Sequence, residues 1–242
     1  MHYNSISDWI RRKAMNCLLS VRASTFDKTE ELKALRNVSF AILPEKPVSE
    51  FEPYGPPNTL AELGEHHNLY LMLNEPSEST ILSTLKPYAH AKPRGVIPTF
   101  IKSRADIERL HAILSVFEAE HALQDCIMKI IPELGRYPVA FHNLMNLSDT
   151  SPRLTALTWN EEALKETLDA KRSRDENRSL LPPFQYAQTQ CLFAAKSAHL
   201  IALDTAPTAI PEDLDKSTAL GFTGMNANTP EDAQQIQQVF SK

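Results

Sequence analysis

Glycine is scarce here, with six in 242 residues, about a third of the ~7% usage of an average protein. None of the six falls in a GxGxxG or GxxxxGK[ST] spacing, which excludes a glycine-rich phosphate cradle. Cysteine is scarcer still. Cys17, Cys126 and Cys191 are odd in number, far apart and set in apolar segments. They read as buried reduced thiols rather than a disulfide frame or a metal knuckle. Positive charge is in deficit, with 25 Lys and Arg against 30 Asp and Glu and a formal net charge of −5. The basic residues are scattered and form no stripe for a nucleic-acid backbone. No apolar run reaches the ~18 residues of a membrane span, and the first 20 residues lack the continuous apolar core of a signal peptide. The expectation is a cytosolic protein with neither a nucleic-acid nor a membrane partner. A GxSxG elbow is missing as well, so a serine hydrolase has no support.

What the chain does contain is alternation. Apolar runs of strand length occur at 17–21, 38–43, 68–73, 94–97, 126–131, 153–159, 199–203 and 221–225. Helix-like stretches lie between them at 28–35, 59–66, 78–85, 103–123, 137–147, 161–172, 182–198 and 211–220, and 229–242 closes the chain. Ile107, Leu110, Ile113, Leu114 and Phe117 recur at helical spacing. Ser103 with Asp106, and Thr229 with Glu231 and Asp232, have the form of helix starts. Strand alternating with helix implies parallel strands joined by right-handed crossovers. Eight such units in a chain of this size predict an α/β fold, a single (β/α)8 TIM-barrel domain over 1–242 with a leading helical segment over 1–15.

In such a barrel, chemistry sits at the carboxyl ends of the strands. The stretch "DCIMKIIPELGR" (125–136) runs a buried strand into Glu133. A carboxylate there can ligate a divalent cation or take a proton. It can equally be a loop carboxylate that pairs with Arg136 or caps the helix near Tyr137. His66 and His67 read as an exposed loop pair, and His142 as a partly buried helix residue. His111 and His121 stand ten residues apart on one helix, too far to ligate together. The charged run 165–178 reads as a solvated helix and loop, or as a lid over the site. Five prolines within 43–59 predict a rigid extended loop beside the mouth.

Four longer stretches carry a resemblance. "SPRLTALTWNEEAL" (151–164) resembles the pattern "SPRLAALAFGAEDL", and "YAQTQCLFAAKSAHLIALDT" (186–205) is similar to "YARSRVVLAARAAGLPAIDT". "ALGFTGMNANTPEDAQQIQQVF" (219–240) resembles "ALGFDGKLAIHPRQVAVINEAF", and "NCLLSVRASTFDKTEELKAL" (16–35) is similar to "RSLLFVPGDRPKKLEKAL". These are patterns of the citrate lyase beta-subunit-like branch of the HpcH/HpaI aldolases. The resemblance implies a barrel lyase that makes or breaks carbon–carbon bonds in small hydroxy- or oxo-acids or their CoA thioesters. It also implies Mg²⁺, metal-assisted enolate chemistry and a homo-oligomer, a trimer or larger.

Carried over residue by residue, the family's "E-T-x-R" turn matches Glu133 and Arg136, the implied catalytic pair. Asn74, Glu45 and Asp204 are the retained substrate-binding positions. The second metal-binding Asp aligns with Ala163, and Glu162 or Glu161 beside it is the replacement ligand. Other positions depart from the pattern. Leu43 and Lys46 stand for aspartates, Met72, Gln188 and Gln190 for arginines, and Thr99 and Met225 for lysines. Such cations recognise carboxylates and phosphates, so their loss depletes the site. Two readings follow: a divergent lyase in which Glu133 and Glu162 hold Mg²⁺, or a catalytically inactive barrel acting as a binding or interaction subunit, beside an active paralogue.

Overall fold

The computed structural model describes residues 15–22, 32, 34–35, 38–44 and 57–240. The leading segment over 1–14, Glu45 and most of the proline-rich loop lie outside the described residues. The strands are β1 (Cys17–Arg22), β2 (Val38–Leu43), β3 (Asn68–Leu73), β4 (Gly95–Pro98), β5 (Lys129–Ile130), β6 (Glu133–Leu134), β7 (Ala156–Trp159), β8 (Ile201–Asp204) and β9 (Gly224–Ala227). They form one curled sheet in the order β5-β4-β3-β2-β1-β9-β8-β7-β6, with every pairing parallel. Helices follow the strands: α1 (Pro57–His66), α2 (Glu78–Leu85), α3 (Arg104–Glu120), α4 (Ala140–Asn143), α5 (Glu161–Thr167), α6 (Pro182–Ser197), α7 (Pro211–Leu220) and α8 (Pro230–Phe240). The architecture is α/β.

Side-chain alternation sorts the core into two faces. Phe40, Ile42, Leu69, Leu71, Leu157 and Trp159 join helix residues such as Ile81, Ile107, Phe117 and Phe184 in the larger cluster. That face of the sheet lies under the helices. The opposite face carries a smaller cluster with no helix in it, made by Met15, Leu18, Ala41, Tyr70, Ile97, Ile131, Ala156, Ile201 and Leu203, with Met72 against them. Parallel strands covered on both faces need near-continuous apolar runs, which is why the sequence shows runs rather than alternation.

Strand five differs from its expected span. The run 126–131 pairs only from Lys129, and the strand continues past Pro132 to Leu134 as β6. Proline has no N–H to give the ladder, so the strand is split there. Its two halves stand at opposite ends of the sheet order. Ile131 N donates to Val96 O at 3.0 Å, while Ile130 N donates to Arg153 O at 2.9 Å and Thr158 N to Pro132 O at 3.1 Å. Residues 129–134 are therefore bonded to β4 along one edge and to the 153–159 segment along the other. Cys126 falls in a turn with φ 57° and is half-buried, unlike the buried Cys17 and Cys191.

Helix ends expose other differences. The stretch 137–147 yields only the single turn of α4, and 161–172 stops at Thr167. His142 on α4 is exposed rather than partly buried. His66 is exposed at the end of α1, whereas His67 is half-buried, edge-on to Phe40, with Nδ1 3.3 Å from Val38 O. The expected start of α3 holds, since Ser103 and Asp106 form a reciprocal capping box. Asp232 N likewise donates to Thr229 Oγ1 at 3.1 Å.

One buried ion pair locks the amino-terminal side of strand five. Arg153 is 0% and Glu118 1% exposed. The guanidinium meets Glu118 through two bonds of 2.7 and 2.8 Å and also donates to Met128 O and Ser115 Oγ. Glu118 accepts from Cys126 N and Met128 N. Helix α3 is thereby tied to both segments flanking β5. Removing one partner of such a pair strands a buried charge. Arg153→Met is expected to lower the unfolding free energy by about 3–5 kcal/mol, read from urea unfolding with an unchanged denaturant slope.

Candidate functional site

The inward face turns polar toward the carboxyl ends of the strands. Two residues beyond Met72, Ile97, Ile131 and Ala156 stand Asn74, Thr99, Glu133 and Thr158, and Asn160 follows Thr158 by two. Glu133 is the first residue of β6, in register with Thr158 of β7. It is half-buried and accepts one bond from Asn160 Nδ2, at 3.2 Å to Oε1. Loss of water pushes its carboxyl from 4.5 up to about 7, against the pull of that bond. Among the described residues no ion pair reaches it.

Arg136 does not pair with Glu133. It is exposed, and Nη1 donates to Asn74 O at 3.0 Å. Asn74 Oδ1 accepts from Thr99 Oγ1 at 3.1 Å. Arg136, Asn74 and Thr99 thus link the carboxyl ends of strands three, four and five into one rim. On the far side, Asn226 Nδ2 donates to Thr158 Oγ1 at 2.8 Å, while its Oδ1 is buried without a hydrogen-bond partner among the described residues.

Asp204 is placed elsewhere. It is 1% exposed and turns toward the helices. Its oxygens accept from Trp159 Nε1 at 2.8 Å, Thr205 N at 2.9 Å, Gln188 Nε2 at 2.8 Å and Ser217 Oγ. Burial raises its pKa and the four bonds lower it, with burial the larger effect. With its acceptor sites filled, Asp204 joins β7, α6 and α7, and a direct substrate-binding role does not fit those surroundings. The structure does not bring it to Glu133.

The two replacement carboxylates have separate fates. Glu161 is 3% exposed, bonded to Ser173 Oγ at 2.6 Å and to Arg174 at 2.9 and 2.7 Å. Arg174 also reaches Asp213 at 3.0 Å, and Arg178 meets Asp213 at 3.3 Å. These bonds clamp the 173–181 segment onto α7 as an ordered turn, with Arg174 and Leu180 paired antiparallel. Of the charged run 165–178, residues 166–169, 171–172 and 176–178 are exposed, as a solvated helix end and loop would be, and Ser173 alone is buried. Glu162 is exposed and pairs with Lys165 at 2.5 Å. Among the described residues, no cluster of three or more His, Cys, Asp or Glu could hold a metal ion. A cleft of about 520 Å³ opens beside this turn, lined in part by Arg178, Gln188, Lys216 and Leu220. Asp204 also lines this cleft, and Glu133 is not among its lining residues.

Sequence reasoning passed over Asn160, Thr158 and Asn226. Asn160 carried a signal: an Asn directly before "EEALKET" has the form of a helix start. It caps α5, with Oδ1 accepting from Ala163 N at 3.0 Å.

No family model and no curated protein matches the chain. Solved structures do. A citrate lyase beta subunit from M. tuberculosis, complexed with oxaloacetate and magnesium, superposes with a TM-score of 0.73 at 15% identity, over 96% of this chain and 99% of that one. The chain has the citrate lyase beta-subunit fold. The CitE protein of M. tuberculosis in complex with magnesium, acetoacetate and coenzyme A gives 0.70 at 16% identity, over 96% and 82%. Haloferax volcanii malate synthase, as a lead(II) complex, gives 0.68 at 13% identity, over 98% and 74%. The citrate lyase beta-subunit neighbours are consistent with the family that the sequence resembles. No helix among the described residues is long and apolar enough to cross a membrane.

The raised Glu133 carboxyl makes a signed prediction. The folded state holds this proton more tightly than the unfolded chain, so its contribution is full below about pH 4.5 and lost as pH rises through about 7. In metal-free buffer, Glu133→Gln is expected to match the wild type in stability near pH 4. It should exceed the wild type by about 3 kcal/mol at pH 8.5, as measured by chemical denaturation at both pH values.

Proposed function

We propose that the chain is a divergent citrate lyase beta-like member of the HpcH/HpaI family. In this reading it is a carbon–carbon lyase or aldolase acting on a small oxo- or hydroxy-acid or its CoA thioester. The observation that carries the reading is Glu133: a half-buried carboxyl at the end of strand five with a pKa near 7, on a fold whose neighbours hold magnesium with oxaloacetate or acetoacetate. A carboxyl held in a partly dry site with no counter-charge is one that a divalent cation would ionise and pair with. The fold part of the proposal is one complete (β/α)8 barrel domain over 1–242. It is supported by counting 129–134 as one strand bonded along both edges.

Mg²⁺ takes hard oxygen donors, keeps several waters and needs one or two carboxylates. Glu133 would supply one through the oxygen that Asn160 leaves open, and Oδ1 of Asn226, without a partner among the described residues, is a further hard oxygen at this end of the sheet. The donor types fit the ion. Glu162, once released from Lys165, would supply the second carboxylate in this reading, and Glu45 keeps the substrate-binding role that the resemblance implies. When bound, the ion supplies Lewis-acid stabilisation of an enolate oxygen. Glu133 would hold the ion, Asn160 would orient Glu133, and the Arg136–Asn74–Thr99 rim would shape the entrance. Asp204 acts through Trp159, whose indole it anchors next to Asn160. The same resemblance supports a cytosolic homo-oligomer, a trimer or larger.

A second reading, an inactive binding or interaction subunit beside an active paralogue, is favoured by one observation. Glu161 and Glu162, the carboxylates nearest the missing Asp, are both paired with cations. Thermal unfolding with millimolar Mg²⁺ or Mn²⁺, alone and with oxaloacetate, pyruvate or acetyl-CoA, separates the two. The lyase reading expects a stabilisation of about 2.7 kcal/mol at a hundredfold excess over the dissociation constant, abolished by Glu133→Gln. No shift in any combination selects the binding subunit.

A further inference from the structure

Asn160 sits under four constraints. Its N–H donates to Leu134 O at 2.7 Å. Its carbonyl presses on Gly135, where φ is +137° and an added Cβ would lie 2.5 Å from that oxygen. Its Oδ1 caps Ala163 N at 3.0 Å, and its Nδ2 reaches Glu133 Oε1 at 3.2 Å. The cap settles which end of the amide is which. A backbone N–H only donates, so the atom facing Ala163 must be the oxygen and the NH₂ must face Glu133.

The geometry points to Asn160 as the positioning residue of the site: its amide engages Oε1 of Glu133 and thereby presents Oε2 as the working oxygen. This rests on the functional reading given above and extends it. Among the described residues Glu133 makes no other side-chain bond, so without the amide its carboxylate has rotamers to choose from. The backbone of Asn160, bonded to Leu134, rides on the same strand end as Glu133. One side chain therefore couples the start of α5 to the direction of a carboxylate on β6. The pattern that "SPRLTALTWNEEAL" resembles has Gly at this place, so the device belongs to this chain.

The test compares the wild type, Asn160→Ser and Glu133→Gln. Serine keeps a capping oxygen and removes the amide donor. The side-chain amide protons of Asn160 are read by two-dimensional NMR at pH 8, Mn²⁺ affinity by paramagnetic resonance, and the helix cap by thermal unfolding. The Asn160 amide protons should move in Glu133→Gln, which a pure helix cap would not produce. Asn160→Ser should unfold near the wild-type temperature yet bind Mn²⁺ about 10- to 100-fold more weakly, the usual loss when a group orienting a metal ligand is removed. Amide protons indifferent to Glu133→Gln, or undiminished Mn²⁺ affinity in Asn160→Ser, would overturn the positioning role. If the wild type binds no Mn²⁺, the metal part of the functional reading falls, and the amide resonances alone decide the role of Asn160.

Discussion

Six residues, 129–134, carry hydrogen bonds along both edges, and the carboxyl end of the sheet depends on them. Lys129 and Ile130 are in register with Gly95 and Val96 of β4, while Glu133 and Leu134 are in register with Thr158 and Trp159 of β7. Pro132 sits between and gives up one ladder donor, so the strand changes partners where its own chemistry interrupts pairing. Gly95 permits the approach on the first edge, since a Cβ there would lie 2.1 Å from Lys129 O. If this strand slipped by one residue, Glu133 would leave the polar end for the helical face. The Arg153–Glu118 pair opposes such a slip, because Glu118 holds the N–H groups of Cys126 and Met128 just before the strand begins.

Charge is distributed unevenly over this scaffold. Glu118 and Glu161 are buried with an arginine bonded to each, and Asp213 shares two. These carboxylates are neutralised and structural. Glu133 has a single amide, and its proton affinity rises accordingly. Asp204 is an intermediate case, with four neutral donors and no bonded cation. A carboxyl left without a counter-charge in a partly dry site is the kind that works near neutral pH. By this measure Glu133 stands apart from the other buried acids.

Local signals in the sequence were reliable where the structure is local. Helices α2 and α7 begin and end with the helix-like stretches of the sequence, at 78–85 and 211–220. The eight strand-like runs all carry strands, and their alternation with helices implied the parallel sheet. The carboxylate at the end of strand five was legible too, because it follows an apolar run directly. Helix α4 was not: Phe141, Leu144 and Leu147 pack into the core and imitate a helical stripe, although only one turn forms.

The sequence by itself therefore determined the order of elements, the parallel α/β architecture and the place of Glu133, since each depends on neighbours within a few residues. Only the tertiary structure decided which polar groups work together. Glu161 and Glu162 are adjacent and alike in sequence. They point to different sides of α5, and one is drawn into Arg174 thirteen residues away while the other stays at the surface with Lys165. Gln188 finds Asp204 and Asn160 finds Glu133 across 16 and 27 residues. Partners at that range are chosen by how strands curl and helices pack, and no local pattern in the chain encodes them.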